Sequence, residues 1–238
     1  MLSNPQNSPP ANNLSEQLGR VRQRIAQAAA AAGRDVQSIT LLAVTKGQDA
    51  ARIRAAMALG LTDFGENYVD EAVAKIGALR DTLARWHFIG RLQANKTRLV
   101  AEHFSWVHSV DRLRIAERLA AQRPHLAPPL NVCVQVHIAD DPQKGGVAPA
   151  DALALLQAIS ALPRLRLRGL MCMLPYATAV PRQHAAFAQL RQLLEASQAV
   201  GLAIDTLSMG MSTDMDAAVA EGATLVRVGT ALFGPRDT

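Results

Sequence analysis

Lys46 is the residue of this sequence with the clearest capacity for covalent chemistry. It comes directly after the apolar run LLAVT, which is typical of a buried strand. Apolar surroundings disfavour the charged form of an amine, and a neutral lysine is a nucleophile near pH 7. A lysine at a strand end can also simply extend its amine into solvent. The position makes Lys46 a candidate nucleophile, and solvent exposure remains the alternative.

Two turns rich in serine and glycine form a second candidate site. The segments LSMGMSTD (207–214) and RVGTALFG (227–234) contain the ends of the last two apolar runs. Small residues leave backbone N–H groups accessible, and the positive end of a following helix attracts an anion. Ser212, Thr213 or Asp214 could instead only cap that helix. Together with Lys46, the turns indicate a ligand that carries both a carbonyl group and a phosphate.

Further polar residues lie in or just after the second, third and fourth apolar runs: Glu66, Asn67, His87, Arg91, Gln93, Asn95, Lys96 and His108. For Asn67 and Arg91 a functional and a structural role are equally compatible with the sequence. His87 and His108 fit better as hydrogen-bonded core histidines that face the interior of the fold. Asn95 fits a helix cap.

The elements that position these residues alternate between two periodicities. Eight short, partly β-branched runs are the predicted strands: 40–46, 62–68, 85–90, 106–110, 131–139, 167–174, 205–210 and 224–229. Seven stretches with a helical apolar period connect them, which predicts a parallel sheet that closes into a single (β/α)₈ TIM barrel. The segment after the last strand is too short for an eighth outer helix. A helix predicted over 14–32 would cover the barrel in its place.

The chain is therefore expected to be a polar, disordered tail over residues 1–13 followed by one barrel domain over 14–238. Active-site groups of such barrels lie at the carboxyl ends of the strands, where Lys46 and both turns fall. Cys133 and Cys172 lie in apolar runs without the spacing of a zinc site, so we predict buried thiols and no metal.

Composition narrows the expected location and partners. The sequence has no leader-like N-terminus and no apolar run of membrane-spanning length, which indicates a cytoplasmic protein without membrane contact. The net charge is +5, yet the basic residues are dispersed and only 4% of residues are aromatic. We therefore expect no specific nucleic-acid partner. A closed barrel leaves no free strand edge, which favours a monomer.

Five segments, read in order, resemble the YggS/PROSC family of pyridoxal phosphate homeostasis proteins: LLAVTK, FGENYVDEAVAKI, WHFIGRLQANKTR, GLMCMLP and LSMGMSTDMDAAVAEGATLVRVGTALFG. The resemblance extends from about residue 14 to residue 234. It implies a barrel of the type found in the N-terminal domain of alanine racemase. It also implies pyridoxal 5′-phosphate (PLP) as the cofactor, held as a Schiff base on Lys46.

The same resemblance assigns the other cofactor-binding residues. The phosphate would be surrounded by the residues Ser208, Met211, Ser212, Gly229 and Thr230. Asn67 is expected near the pyridine ring, and Arg227 is expected to face the ring nitrogen. The fifth strand departs from the family pattern, because His137 replaces an asparagine and Gly145 a serine, although Lys144 keeps its place. No role is assigned to that strand end.

A cation at the ring nitrogen opposes protonation of the ring and so weakens PLP as an electron sink. The sequence also ends soon after the barrel, so we expect no second domain to supply another acid or base. The preferred hypothesis is therefore a protein of PLP homeostasis that supplies PLP to apo-enzymes. The alternative is a PLP-dependent racemase-type enzyme, and a weaker one is a barrel enzyme that uses Lys46 on a phosphorylated sugar.

Overall fold

Eight parallel strands form a closed barrel in the structure, a computed structural model that describes residues 11–138 and 145–234. The strands are β1 (Thr40–Val44), β2 (Asp63–Glu66), β3 (Arg85–Phe88), β4 (Trp106–Val110), β5 (Leu130–Gln135), β6 (Leu165–Met171), β7 (Thr206–Ser208) and β8 (Leu225–Val228). Each strand pairs with its sequence neighbours, and β8 pairs with β1 to close the ring. The predicted (β/α)₈ barrel is confirmed.

Helices surround the barrel. They are α1 (Ala11–Ala31), α2 (Ala50–Ala58), α3 (Val69–Ala78), α4 (Thr97–His103), α5 (Leu113–Gln122), α6 (Pro149–Ser160), α7 (Val180–Ala199), α8 (Met215–Ala220) and α9 (Thr230–Phe233). Two 3₁₀ turns precede β1 and α4, at Val36–Ser38 and Ala94–Lys96. The helix α9 that follows β8 has only four residues, about one turn, and leaves most of this side of the barrel to be covered by another element.

The N-terminal helix takes over that covering role. Its residues Leu14, Leu18, Val21, Ile25 and Ala29 are spaced three or four apart and are all buried, so one face of α1 packs inward. It packs against α8 and α9, beside the closure of β8 on β1. The helix begins at residue 11, three residues before the predicted start. The rest of the predicted tail, residues 1–10, lies outside the described residues.

Apolar side chains are divided between two cores. The larger core lies between the strands and the helices and contains most of the buried Leu, Ile, Val and Phe residues. A small separate cluster of Leu42, Ile89 and Leu225 packs with the partly buried Val44. Both cysteines are buried free thiols, as predicted, and burial raises their pKa to about 12. Within the described ranges, no helix is both long and apolar enough to cross a membrane.

Gly210 lies two residues after the end of β7, in a conformation that restricts the residue type. Its φ is +91°, a region that side chains with a Cβ atom rarely adopt. An added Cβ would also lie 2.6 Å from the Cβ of Ala218 on α8. The backbone carbonyl of Gly210 accepts a hydrogen bond from the N–H of Arg227, at 2.9 Å. The turn after β7 therefore packs directly against both β8 and α8.

We expect Gly210→Ala to lower the free energy of unfolding by about 2 to 4 kcal/mol, the sum of an unfavourable φ and a steric overlap. The matched control is Gly77→Ala in α3, where no heavy atom lies within 4 Å of the added Cβ. That change should raise stability by up to about 1 kcal/mol because alanine favours a helix. Urea unfolding of both variants measures the difference, and equal effects would contradict this explanation.

Candidate functional site

Lys46 lies just beyond the carboxyl end of β1, between β8 and β2. The N–H of Thr45, the preceding residue, donates to the carbonyl of Gly65 at 2.9 Å. The following residue, Gly47, has a φ of +75°, and its N–H donates to Oε1 of Glu71 at 2.6 Å. The backbone on both sides of Lys46 is therefore fixed, and its side chain is partly buried at the end of the barrel, as predicted.

A buried lysine from α3 organises this strand end. Nζ of Lys75 donates to the carbonyl of Thr45 at 2.6 Å, to Oε1 of Glu66 at 2.8 Å and to Oε1 of Glu71 at 2.6 Å. Three acceptors match the three hydrogens of an ammonium group. Glu71 also holds Gly47, so this cluster connects β1, β2 and α3 around the turn that follows Lys46. Nothing in the sequence pattern distinguished Lys75 from a surface lysine.

The two carboxylates of this cluster differ in their environment. Burial raises the pKa of Glu66, although hydrogen bonds from Lys75 and Thr45 oppose the increase. Glu71 is more exposed; burial acts in the same direction there, but bonds from Lys75 and Gly47 and the charge of Lys46 lower its pKa overall. Glu71 thus provides the negative charge that faces the end of β1.

Asn67 follows β2 and lies against the end of β3. A Cβ added to Gly90 would be 2.0 Å from the carbonyl oxygen of Asn67, so only glycine allows the two strand ends to approach so closely. The side-chain Oδ1 of Asn67 is buried and has no hydrogen-bond partner among the described residues. A buried polar atom without a partner is costly, which makes Oδ1 a candidate ligand contact.

Arg227 is a buried cation at β8. Its Nη1 donates to the carbonyl and the hydroxyl of Ser208 at 2.5 and 2.8 Å, and its Nη2 donates to the carbonyl of Cys172 at 2.7 Å. Burial lowers the pKa of the guanidinium. Among the described residues it has no ion pair with a carboxylate, and two of its five N–H groups make no hydrogen bond. These two groups could bind an acceptor atom of a ligand.

The turns after β7 and β8 hold the other predicted residues. Met211, Ser212 and Gly229 are partly buried, and Thr230 is exposed. A Cβ added to Gly229 would be 3.4 Å from the Cβ of Val44, which places the turn after β8 directly beside β1. The two turns therefore lie at neighbouring strand ends, on the β8 side of Lys46.

Local contacts shape the turn after β7. Asp214, not Ser212 or Thr213, is the N-cap residue of α8, and its Oδ1 accepts a hydrogen bond from the N–H of Met211 at 2.5 Å. Arg24 of α1 donates to the carbonyl of Ser212 at 2.6 Å and pairs with Asp216 through both carboxylate oxygens. The N-terminal helix thereby holds this turn from outside the barrel.

Ser208 is the last residue of β7 and does not belong to the turn that follows it. It is fully buried, and its hydroxyl contacts Nδ1 of His108 at 2.7 Å as well as Arg227. His108 in turn contacts His87, so both histidines are hydrogen-bonded residues of the barrel interior, as predicted. His87 reaches Asp63 at the first position of β2, a residue that the sequence analysis did not identify.

A cavity of about 500 Å³ occurs at the amino-terminal end of the barrel, opposite Lys46. Asp63 and His87 contribute to its wall. Two of its arginines are already paired with carboxylates, Arg85 with Asp63 and Arg168 with Asp205. Asp63 and His87 connect this wall, through His108, to Ser208 at the other end of the strands.

The remaining candidates give little evidence of a role. Arg91 is exposed, and His137 is partly buried with its backbone N–H bonded to the carbonyl of Val147 at 2.9 Å. The carbonyl of Gly145 accepts a hydrogen bond from the side chain of Gln135. Lys144 lies outside the described residues. No group of His, Cys, Asp or Glu within the described ranges could hold a metal ion.

The chain is similar to curated proteins along almost its whole length. A family model described as "Alanine racemase, N-terminal domain" matches residues 17–237. The chain is 56% identical over 227 residues to a pyridoxal phosphate homeostasis protein of Pseudomonas aeruginosa, covering 95% of this chain and 97% of the relative. It is 48% identical over 229 residues to one of Escherichia coli, covering 95% of this chain and 98% of the relative.

Solved structures share the fold. The structure of PipY from Synechococcus elongatus without PLP has a TM-score of 0.84 and 42% identity, covering 93% of this chain and all of PipY. The structure of PipY with PLP bound gives 0.83 and 41% with the same coverage. Alanine racemase from Corynebacterium glutamicum gives 0.69 at 16% identity, covering 96% of this chain and 62% of the racemase, a likeness of fold alone.

Removal of Lys75 tests the cluster that holds the end of β1. Lys75→Met leaves Glu66 buried without its cation, so we expect the free energy of unfolding to fall by about 3 kcal/mol. The matched control is Lys96→Met, which breaks the more exposed pair of Lys96 with Asp70 and should cost less than about 1 kcal/mol. Urea unfolding compares the two variants, and equal losses would show that Lys75 acts as a surface lysine does.

The two buried histidines should make the free energy of unfolding depend on pH. Burial lowers the pKa of His87 and His108 from the ordinary value of 6.5, so near and below that pH the unfolded chain binds more protons than the folded chain. The free energy of unfolding should therefore decrease by up to about 1.5 kcal/mol between pH 7.5 and 6. Burial raises the pKa of Glu66 and Asp214. These two carboxyl groups therefore increase the free energy of unfolding as the pH falls, chiefly at lower pH.

Urea unfolding at several pH values measures this dependence. His108→Gln should remove about half of it, whereas substitution of the exposed His103 by glutamine should leave it unchanged. A wild-type stability that stays constant or rises as the pH falls to 6 would contradict the assignment of neutral buried imidazoles.

Proposed function

The chain belongs to the family of pyridoxal phosphate homeostasis proteins, and we propose that it holds PLP as a Schiff base on Lys46 and supplies it to apo-enzymes. The observation that carries the proposal is a strand-end lysine on a fixed backbone, beside two turns of small residues. When bound, PLP supplies an aldehyde that reacts reversibly with amines.

The residues at the carboxyl end of the barrel fit this cofactor in their chemistry. The partnerless Oδ1 of Asn67 fits a polar substituent of the ring, and the two N–H groups of Arg227 without hydrogen bonds fit a ring nitrogen that accepts. Asp214 acts on the charge of Arg227 only from a distance, because the hydrogen bonds of the guanidinium go to two carbonyls and a hydroxyl. Together these groups offer complementary partners to a phosphorylated pyridine.

The turns after β7 and β8 would bind the phosphate. Ser212, Gly229 and Thr230 contribute backbone N–H groups and two hydroxyls at neighbouring strand ends, next to Lys46. Their arrangement allows the amine and the anion-binding groups to contact the same small molecule from one side of the barrel. The N–H of Met211 already donates to Asp214, so Met211 would contribute to the shape of the turn after β7. Arg24 and Asp214 hold the first of these turns in place without belonging to the site.

Arg227 also favours a homeostatic role over a catalytic one. Its hydrogen bonds go to two carbonyls and a hydroxyl, so its charge is not neutralised by a directly bonded carboxylate. A fixed cation that faces the ring opposes protonation of the ring nitrogen and disfavours carbanion chemistry. The chain's two tyrosines, Tyr68 and Tyr176, are exposed. We infer reversible storage of PLP without sustained turnover.

The test loads the purified protein with PLP and reduces it with borohydride. We expect a visible absorbance band that disappears on reduction, and a mass increment that maps to Lys46. The band and the increment should be absent in Lys46→Ala and retained in Lys96→Ala, which removes another lysine from the same end of the barrel. An increment on a different lysine would refute the assignment.

The supply of PLP to apo-enzymes requires a separate experiment. Mixing the loaded protein with an apo form of a PLP-dependent enzyme should restore the activity of that enzyme, even when a phosphatase destroys free PLP. Exchange of the Cα hydrogen of amino acids with deuterated water, abolished by Lys46→Ala, would instead identify a racemase-type enzyme. Failure to restore the apo-enzyme would refute the supply of PLP and leave its binding intact.

A further inference from the structure

We propose that a hydrogen-bonded chain through the barrel interior positions the guanidinium of Arg227 from the amino-terminal end of the barrel. We call it the lumen chain, and it consists of Asp63, His87, His108 and Ser208. The inference rests on the proposed function for the importance of Arg227 to PLP. It adds residues that act on the cofactor site without touching the cofactor.

The contacts of the lumen chain are continuous. Oδ1 of Asp63 lies 3.0 Å from Nε2 of His87, and Nδ1 of His87 lies 3.0 Å from Nε2 of His108. Nδ1 of His108 lies 2.7 Å from the hydroxyl of Ser208, which is 2.8 Å from Nη1 of Arg227. All five side chains are buried, and they come from five different strands.

The chemistry of the two ends fixes the direction of every hydrogen bond. At one end, Arg227 can only donate, so the oxygen of Ser208 accepts from it. At the other end, Asp63 carries two hydrogen bonds from Arg85, at 2.7 and 2.6 Å. Although burial opposes ionisation, the bonds from His87 and Arg85 lower the pKa of Asp63 well below its usual range. An ionised carboxylate only accepts, so His87 donates to it.

The hydrogens between the two ends follow from these constraints. Burial keeps both imidazoles neutral by lowering their pKa, so each has one N–H group. His87 uses its Nε2–H for Asp63, and its Nδ1 must then accept from Nε2–H of His108. Nδ1 of His108 accepts in turn from the hydroxyl of Ser208. Every donor points toward Asp63, and no hydrogen in the chain lacks a partner.

Two consequences follow for the cofactor end. The single hydroxyl hydrogen of Ser208 is used by His108, so Ser208 has none to donate to a phosphate; it is a positioning residue for Arg227. The aligned bonds also increase the negative partial charge on the oxygen of Ser208, which strengthens its bond with Arg227. The stacking of His87 on Trp106, with ring centroids 5.3 Å apart, keeps the first imidazole in the required orientation.

The first test reads the histidine tautomers by ¹⁵N NMR in the full chain, with and without PLP. At pH 7 we expect His87 and His108 to be neutral and to carry their hydrogen on Nε2 in both samples. An Nδ1–H tautomer or an imidazolium at either position would overturn the lumen chain. This readout does not depend on any activity of the protein.

The second test measures PLP affinity and the absorbance band of the bound cofactor in matched pairs of variants. Ser208→Ala should weaken PLP binding about tenfold and alter the absorbance band of the bound cofactor. The reason is that the guanidinium of Arg227 loses its hydrogen bond to the Ser208 hydroxyl, which holds it in position. The control is Ser109→Ala, which removes a buried hydroxyl bonded to the carbonyl of Gly90 outside the chain. The control should bind PLP within about twofold of wild type.

A more specific comparison uses Asp63, the end of the lumen chain that is farthest from Arg227. Asp63→Asn and Asp205→Asn each neutralise an arginine-paired carboxylate at the same cavity, but only Asp63 contacts a histidine of the chain. Asp63→Asn should weaken PLP binding at least threefold and shift the ¹⁵N resonances of His108, whereas Asp205→Asn should do neither. Equal effects would overturn the proposal, and Ser208→Ala still tests it if Asp63→Asn does not fold.

These results separate the two proposals. PLP on Lys46 together with an unexpected tautomer refutes the lumen chain and leaves the proposed function intact. The expected tautomers in a protein that places no PLP on Lys46 refute the proposed function and the cofactor-directed part of this inference. Wild-type affinity of both Ser208→Ala and Asp63→Asn refutes the positioning role alone.

Discussion

The constraint on which this barrel depends is that a carboxylate and a guanidinium share its interior without touching each other. Asp63 lies at the amino-terminal end, and Arg227 contacts the last residue of β7. A buried charge without compensating hydrogen bonds would be strongly destabilising. Two neutral imidazoles and a hydroxyl connect the charged groups, while Leu42, Ile89 and Leu225 form a separate apolar cluster. The polar connection therefore allows a cation to remain buried near the carboxyl ends of the strands.

The sequence predicted the architecture well because alternating periodicities are a local property. Each of the eight predicted strands has a counterpart in the structure, usually one to three residues shorter at an end. The covering role of the N-terminal helix was also predictable from the long helical period that precedes β1. The start of α1 was placed three residues late, because Asn13 resembles a cap although the helix continues through it. Boundaries depend on contacts that a local pattern does not contain.

The site was only partly predictable, for a different reason. Strand ends could be identified, so the sequence placed Lys46, Asn67 and the two turns at the same end of the barrel. Periodicity shows that a residue is buried but does not show which buried partner it meets, and the contact of His108 with Ser208 spans 100 positions of the sequence. Asp63 was missed because it begins a strand. Lys75 was missed because a lysine in an amphipathic helix resembles a surface residue until its acceptors on neighbouring elements are known.

The closure of β8 on β1, with α1 packed beside it, has a consequence for the order in which the protein acquires its structure. The second neighbour of β1 is β8, which lies roughly 180 residues later in the sequence. The helix α1 likewise buries its apolar face against the last two helices, α8 and α9. Contacts of such sequence separation slow folding, because the intervening chain must be ordered before they form. During synthesis, the nascent chain therefore exposes an unpaired edge of β1 and an uncovered α1 until β8 leaves the ribosome. Chaperone contact in that interval is most useful at the N-terminal quarter of the chain.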